Sequence, residues 1–341
     1  MLNNRTFRGA LTAPTLALAL CLPLDAPAAQ ELPPESRQFD FWVGAWDVNL
    51  RIRQDDFTWL DSVQSRAQIF SILGGKAILE LWDSQPIKGY SLRYFDVERG
   101  EWVLWLNWPN PNASGSNSIA GSFRHGRGEF GATRSAPDGT ETIVRYTFAD
   151  IGPEKFRWED AFSTDGGNHW TNNWIMEFSR TADVVELPEA GGPAHTYIDG
   201  SRCTLPQFRA LDALAGRRVG LVGDQASTMT GYQVLDGCAV IAITETPGGG
   251  GSSQGFLHLT YNTYASRYEL TNLDGQPDSS AQMFYSQQNS EELVLYPGWQ
   301  QTPDRRVRFD MVDGGEVRVV WETPEDDGWV EAFTAVFQPP S

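Results

Sequence analysis

The stretch Phe39-Asp40-Phe41-Trp42-Val43-Gly44-Ala45-Trp46-Asp47-Val48 occurs again, in weaker form, as Leu211-Asp212-Ala213-Leu214-Ala215-Gly216-Arg217-Arg218-Val219-Gly220. Each reads as a short helical turn running into a strand. The segments downstream of the two stretches correspond as well. Residues 69–80 are answered by 232–242, and 89–94 by 255–260. Farther on, 156–159 are answered by 319–322 and 175–178 by 334–337. Single matches arise by chance. Matches that keep one order through two halves of a chain point to a repeated unit.

The unit is all-β. Its segments are short, alternate apolar with polar residues and are punctuated by Gly, Pro, Asn and Asp, as antiparallel strands are. Neither copy carries the pattern of a long amphipathic helix. Each copy has the length of one closed barrel of about 8 to 10 strands. The expected organisation is barrel 1 over residues 38–182, a linker over 183–205 and barrel 2 over 206–338. The linker contains the turn-rich run Glu186-Leu187-Pro188-Glu189-Ala190-Gly191-Gly192-Pro193.

Residues 1–28 read as a secretory signal peptide. Arg5 and Arg8 precede an apolar run too short to span a bilayer, and Ala26-Pro27-Ala28 is a small-residue cleavage site. The expected address is periplasmic or extracellular. A lipid anchor at Cys21 is disfavoured, because Leu20 is bulky where a small residue is needed. No later run is long and apolar enough to predict a transmembrane segment. Cleavage leaves Cys203 and Cys238, which an oxidising compartment predicts to be bridged, two buried thiols being the alternative. The net charge of −18 argues against nucleic acid as a partner.

Strand parity sorts the side chains of barrel 1. One face carries Trp46, Val48 and Leu50, then Tyr90, Leu92 and Tyr94, then Trp102, Leu104, Leu106 and Trp108. It continues with Tyr146 and Phe148, Phe156 and Trp158, and Trp174, Met176 and Phe178. That face is predicted to point inward. Asp47, Asn49, Arg51, Arg93, Arg145 and Glu177 are then predicted outside. Ten of the 13 Trp fall in copy one. Such an interior either fills itself or leaves an aromatic-walled pocket. Asp160 is a polar exception on the inward face. Glu80 shares a face with Ile78 and Trp82, but Ala77, Leu79 and Leu81 opposite are equally apolar, so its side is open.

Gly44-Ala45-Trp46 after a helical plug resembles the Gly-x-Trp signature of lipocalin-like (calycin) barrels. That resemblance implies that Trp46 stacks against an Arg of the last strand, here Arg180. In copy two Trp46 becomes Arg218 and Arg180 becomes Pro339, so this pair is expected to be missing. Copy one as a whole resembles a bacterial family of unknown function distantly similar to nitrobindin. The similarity rests on residues 39–46, Gly74-Gly75, Glu80-Leu81-Trp82, residues 89–96 and residues 163–170. It is faint in copy two, where Glu80 becomes Ala242 and Arg93 becomes Leu259. The resemblance implies fold and not activity.

Ser163-x-Asp165-x-Gly167-x-His169-Trp170 looks like an Asp-box, a structural hairpin turn. The four histidines have no metal-ligand spacing, so no metal is expected. A nitrobindin-like haem would need an axial His at the barrel mouth, for which His169 is the candidate; the expectation is no cofactor. The expected function is binding of a small apolar or aromatic ligand in barrel 1. Tyr94, Trp108, Tyr146 and Trp158 would be walls, with Asp160 and Glu80 as polar contacts. The first alternative is an enzyme of the cyclase, isomerase, hydratase or lyase kind, with Asp160 or Glu80 as catalytic acid or base. The second is a non-catalytic interaction module with filled barrels.

Overall fold

Two 3-10 turns, Pro34–Arg37 and Asp40–Trp42, precede the first strand, and Phe39 and Trp42 are buried beneath them. Gly44 then takes a φ of 130°, and a Cβ there would lie 2.4 Å from the Ala182 carbonyl oxygen. Only glycine lets the first strand leave the plug and lie against the last one. The computed structural model describes residues 32–340 apart from 85–87, 109–115, 137, 195–202, 249–250, 299–301, 313 and 327. The expected signal peptide, with Cys21, lies outside the described residues.

Barrel 1 comprises β1 (Gly44–Arg53), β2 (Trp59–Ile72), β3 (Ala77–Ser84), β4 (Lys88–Asp96) and β5 (Glu101–Asn107). They are followed by β6 (Ser116–Arg124), β7 (Arg127–Ser135), β8 (Glu141–Ala149), β9 (Lys155–Ser163) and β10 (Thr171–Ala182). Each strand pairs with the next, and β1 closes on β10. The linker adds the short β11 (Gly192–Pro193). Barrel 2 opens with α1 (Pro206–Arg209) and a 3-10 turn, Ala210–Leu214. Its strands are β12 (Gly216–Val222), β13 (Gln225–Val234), β14 (Ala239–Gly248), β15 (Gly251–Asn262) and β16 (Arg267–Asp274). Then come β17 (Gln282–Ser286), β18 (Val294–Pro297), β19 (Arg306–Val312), β20 (Glu316–Glu325) and β21 (Gly328–Gln338). Here β12 pairs with β21 and β13 with β14. Among the described residues the protein is therefore two closed, ten-stranded antiparallel barrels in tandem, with β11 lying parallel beside Tyr232 and Gln233 of β13.

The barrels match in detail. Leu73-Gly74-Gly75 and Leu235-Asp236-Gly237 form the same turn, with φ of 53°, 64° and 90° in one and 53°, 54° and 77° in the other. A leucine in the left-handed region is uncommon, and here it recurs at the same place. The following ladders share a register: Ala77 faces Tyr94, and Ala239 faces Thr260. The disulfide Cys203–Cys238 ties the segment before α1 to the turn after β13.

The Trp46–Arg180 stack is present, with the guanidinium 4.1 Å from the ring centroid. Arg180 also donates to the Val43 and Phe41 carbonyls, at 2.7 and 2.5 Å, and Trp46 Nε1 donates to Trp42 O at 2.8 Å. The arginine thus satisfies carbonyls that the plug's short turns leave open. In barrel 2 the stacked pair is missing, yet the guanidinium is not. Arg218 donates to Ala215 O at 2.7 Å and Leu214 O at 3.2 Å, and to Ala213 O.

One face assignment is corrected. Tyr90, Leu92 and Tyr94 point out of barrel 1, not into it. With Ala77, Leu79 and Leu81 they join one buried cluster with barrel 2 residues such as Leu235, Val240 and Phe256. The Ala281 N–H donates to Tyr94 Oη at 3.0 Å, Ser280 Oγ to Asp96 Oδ2 at 2.9 Å, and Lys76 Nζ to Pro277 O at 2.5 Å. The Tyr90 ring lies 4.0 Å from that of His258. Because β3 and β4 are covered on both faces, apolar parity there marks the neighbouring barrel rather than the interior.

Candidate functional site

The plug end of barrel 1 is filled by rings. Phe39 meets Trp102 edge-on at 4.7 Å, and Phe156 stacks on Phe178 at 4.2 Å. Toward the other end a cavity of about 300 Å³ remains. Trp82 and Trp174 approach at 5.5 Å on one side, and Tyr146 and Trp158 at 4.9 Å on another. Leu106, Trp108 and Met176 complete the apolar wall. Of the four expected aromatic walls, Trp108, Tyr146 and Trp158 line this space. Tyr94 does not; it belongs to the seam between the barrels, because its face of β4 is the one barrel 2 covers.

The polar groups of the cavity come from alternate positions of β3 and β4. Ile78, Glu80 and Trp82 share the inward face of β3, so Glu80 points inside. In β4 the inward set is Ser91, Arg93 and Phe95, which corrects the expected exterior place of Arg93. Glu80 Oε2 accepts from Ser91 Oγ at 2.7 Å and from Arg93 Nη2 at 3.1 Å. Arg93 is 3 % exposed and lies 3.7 Å over the Trp42 ring. Burial pushes the Glu80 carboxyl up, against the pull of Arg93 and Ser91. Burial lowers Arg93 to about 10, with Glu80 acting in the other direction. A guanidinium stays charged in any case. Arg93 Nε and Nη1, Trp42 Nε1 and Trp82 Nε1 are buried and have no hydrogen-bond partner among the described residues.

Asp160 lies across the cavity, and its Oδ1 accepts the Trp174 N–H at 2.7 Å. Burial pushes it up to about 6, while hydrogen bonds from Trp174 and Asn173 and the charge of Arg134 pull it down. Two carboxyl groups and one cation thus share an aromatic enclosure. At the matched ladder positions of barrel 2 stand Ala242, Leu257 and Leu259, all buried in its core. Barrel 2 lacks counterparts of both Glu80 and Arg93, and that paired difference is the trace in the sequence that links the two residues. Trp42, Trp82 and Trp174 carry no comparable signal, since tryptophans recur along copy one.

The Ser163–Trp170 segment forms the β9–β10 turn. Ser163 Oγ donates to Asp165 Oδ1 at 2.8 Å and accepts the Gly167 N–H at 2.9 Å. His169 is 90 % exposed, with Nδ1 2.5 Å from Asp165 Oδ2. Among the described residues no histidine lines the cavity, so it offers a haem iron no imidazole. Nor is any cluster of His, Cys, Asp and Glu among them placed to hold a metal ion. A larger open groove of about 970 Å³ runs over the outer faces of β1, β2, β9 and β10. Its polar lining, including Asp47, Asn49 and Glu177, is that of a solvated sheet face.

No family model matches the chain, and no curated protein matches it. Among solved structures it is similar to a crystal structure of a protein with unknown function from the DUF3598 family of Nostoc punctiforme. The two are 12% identical over 90% of this chain and 98% of that one, with a TM-score of 0.25. A likeness this distant carries no functional information.

Proposed function

We propose that this protein binds a small, largely apolar or aromatic ligand inside barrel 1. The observation that carries this reading is an aromatic-walled cavity of about 300 Å³ in one barrel, at positions where the other has alanine and leucine. Apolar walls with a few convergent polar groups are what small-molecule sites share. The common turns and registers favour descent of both barrels from one lipocalin-like unit, akin to the nitrobindin-like proteins, with barrel 2 the copy that lost its interior polar groups. The disulfide favours an oxidising compartment, hence export to the periplasm or beyond. Mass spectrometry of small molecules extracted from the native protein tests the reading. A single compound released from the wild type and absent from Trp158→Ala supports it; no enrichment over a control protein counts against it.

A second reading has one observation in its favour. A carboxyl held at about 6 inside an apolar site suits general acid–base chemistry near neutral pH. In an enzyme of the isomerase, cyclase, hydratase or lyase kind, Asp160 would move the proton and Glu80 would orient Arg93. Recovery of the extracted compound chemically changed after incubation with the protein, but not with Asp160→Asn, distinguishes catalysis from binding.

A further inference from the structure

Resting on the binding reading, we infer that the ligand of barrel 1 is a neutral aromatic or alicyclic compound bearing a carbonyl-type acceptor, held by Arg93 and Trp42. The unpaired polar groups on one side of the cavity are all donors. Arg93 retains free N–H groups at Nε and Nη1, and the indoles of Trp42 and Trp82 are unpartnered among the described residues. Donors shut away from water lose the full value of a hydrogen bond unless something accepts from them. The guanidinium itself is fixed. Glu80 holds Nη2 from one side, and the Trp42 ring lies 3.7 Å beneath it. Its remaining N–H groups are thus pre-positioned, and an acceptor meets them without reorganisation.

Charge decides which acceptor. The Arg93 cation is already balanced by Glu80, and Asp160 stands elsewhere in the same enclosure. A ligand carboxylate would bring a further negative charge into a site with one cation, where desolvation outweighs what one shared guanidinium returns. A neutral oxygen accepts the same hydrogen bonds with no unbalanced charge. The rest of the ligand lies against Tyr146, Trp158, Trp82 and Trp174, which offer flat apolar faces. Barrel 2 supplies the contrast: with Ala242, Leu257 and Leu259 at these positions it has neither cation nor acceptor requirement.

The test uses three probes of one shape on the full-length protein at neutral pH, with binding read by calorimetry. They are 2-acetylnaphthalene, 2-isopropylnaphthalene and 2-naphthoate. The expected result is that the ketone binds at least about tenfold more tightly than either of the others, the ratio one charge-assisted hydrogen bond supplies. The variant Glu80→Ala/Arg93→Leu, which copies the barrel 2 residues, keeps its affinity for the hydrocarbon within about threefold and loses the preference for the ketone. Glu80→Leu/Arg93→Met, which also leaves no donor at position 93, serves if that variant does not fold, and loses the preference likewise. Equal binding of ketone and hydrocarbon by the wild type overturns the inference and leaves the binding reading intact. So does tightest binding of naphthoate, or a ketone preference that survives in the double variant. Failure of all three probes to bind overturns the inference and the cavity reading together.

Discussion

Arg180 and Arg218 hold the plugs of their barrels from opposite ends of the strand order. Arg180 sits on the last strand of barrel 1 and donates to Phe41 and Val43 carbonyls; Arg218 sits on the first strand of barrel 2 and donates to Ala213, Leu214 and Ala215. One guanidinium fork serves both plugs, so each arginine should matter equally. Arg180→Met and Arg218→Met are each expected to lower the unfolding free energy by about 3 kcal/mol, the scale of losing charged hydrogen bonds to buried carbonyls. The shift in denaturant midpoint measures it. A neutral Arg218→Met would end the equivalence.

Asp160 gives a pH dependence of definite sign. Its folded value of about 6 lies above the ordinary 3.8, so the native state binds more protons between those values. Stability then falls as pH rises from about 4 to about 6 and levels off above. Asp160→Asn removes this decline. It is expected to stabilise by up to about 3 kcal/mol at pH 8 and to be neutral at pH 4, as seen by melting across the range.

The two faces of β3 and the cavity wall can be separated by mutation. Leu79→Ala opens a hole at the seam between the barrels and is expected to destabilise by about 2 to 4 kcal/mol while leaving ligand affinity unchanged. Trp158→Ala removes a cavity wall and is expected to weaken binding of 2-acetylnaphthalene by more than about tenfold. Parallel calorimetry and chemical denaturation of both variants check the assignment; reversed phenotypes would reverse the parity.

The Cys203–Cys238 bridge closes a loop of 35 residues. The chain-entropy relation gives such a loop a stabilisation of about 4 kcal/mol. Replacing both cysteines by alanine is expected to lower stability by up to that amount. Thiol titration of the denatured, unreduced protein should find neither cysteine free.

Much of the architecture is legible because barrels write alternation into their strands. In β1, β8, β9 and β10 the outer face meets water, so parity alone places Trp46, Phe148, Trp158 and Met176 inside. The bridge and the Trp46–Arg180 stack follow from pairs of residues whose chemistry has few other uses. The exception is β4. Its Tyr90, Leu92 and Tyr94 exceed Ser91 and Arg93 in apolarity, so parity points the wrong way and puts Arg93 in solvent. A single chain shows which face is more apolar, but not that a second barrel covers it. The cavity's polar side is hidden with Arg93, because a buried guanidinium becomes plausible only once Glu80 and Trp42 are seen around it.

That doubly covered wall gives alternate positions of β4 different selective pressures. On the binding reading proposed above, Ser91 and Arg93 are free to drift with the enclosed compound, whereas Leu92 and Tyr94 must stay matched to a surface some two hundred residues away in the chain. Relatives that have changed their ligand should therefore differ at every second codon of this strand, and relatives that have lost the second barrel at the codons between.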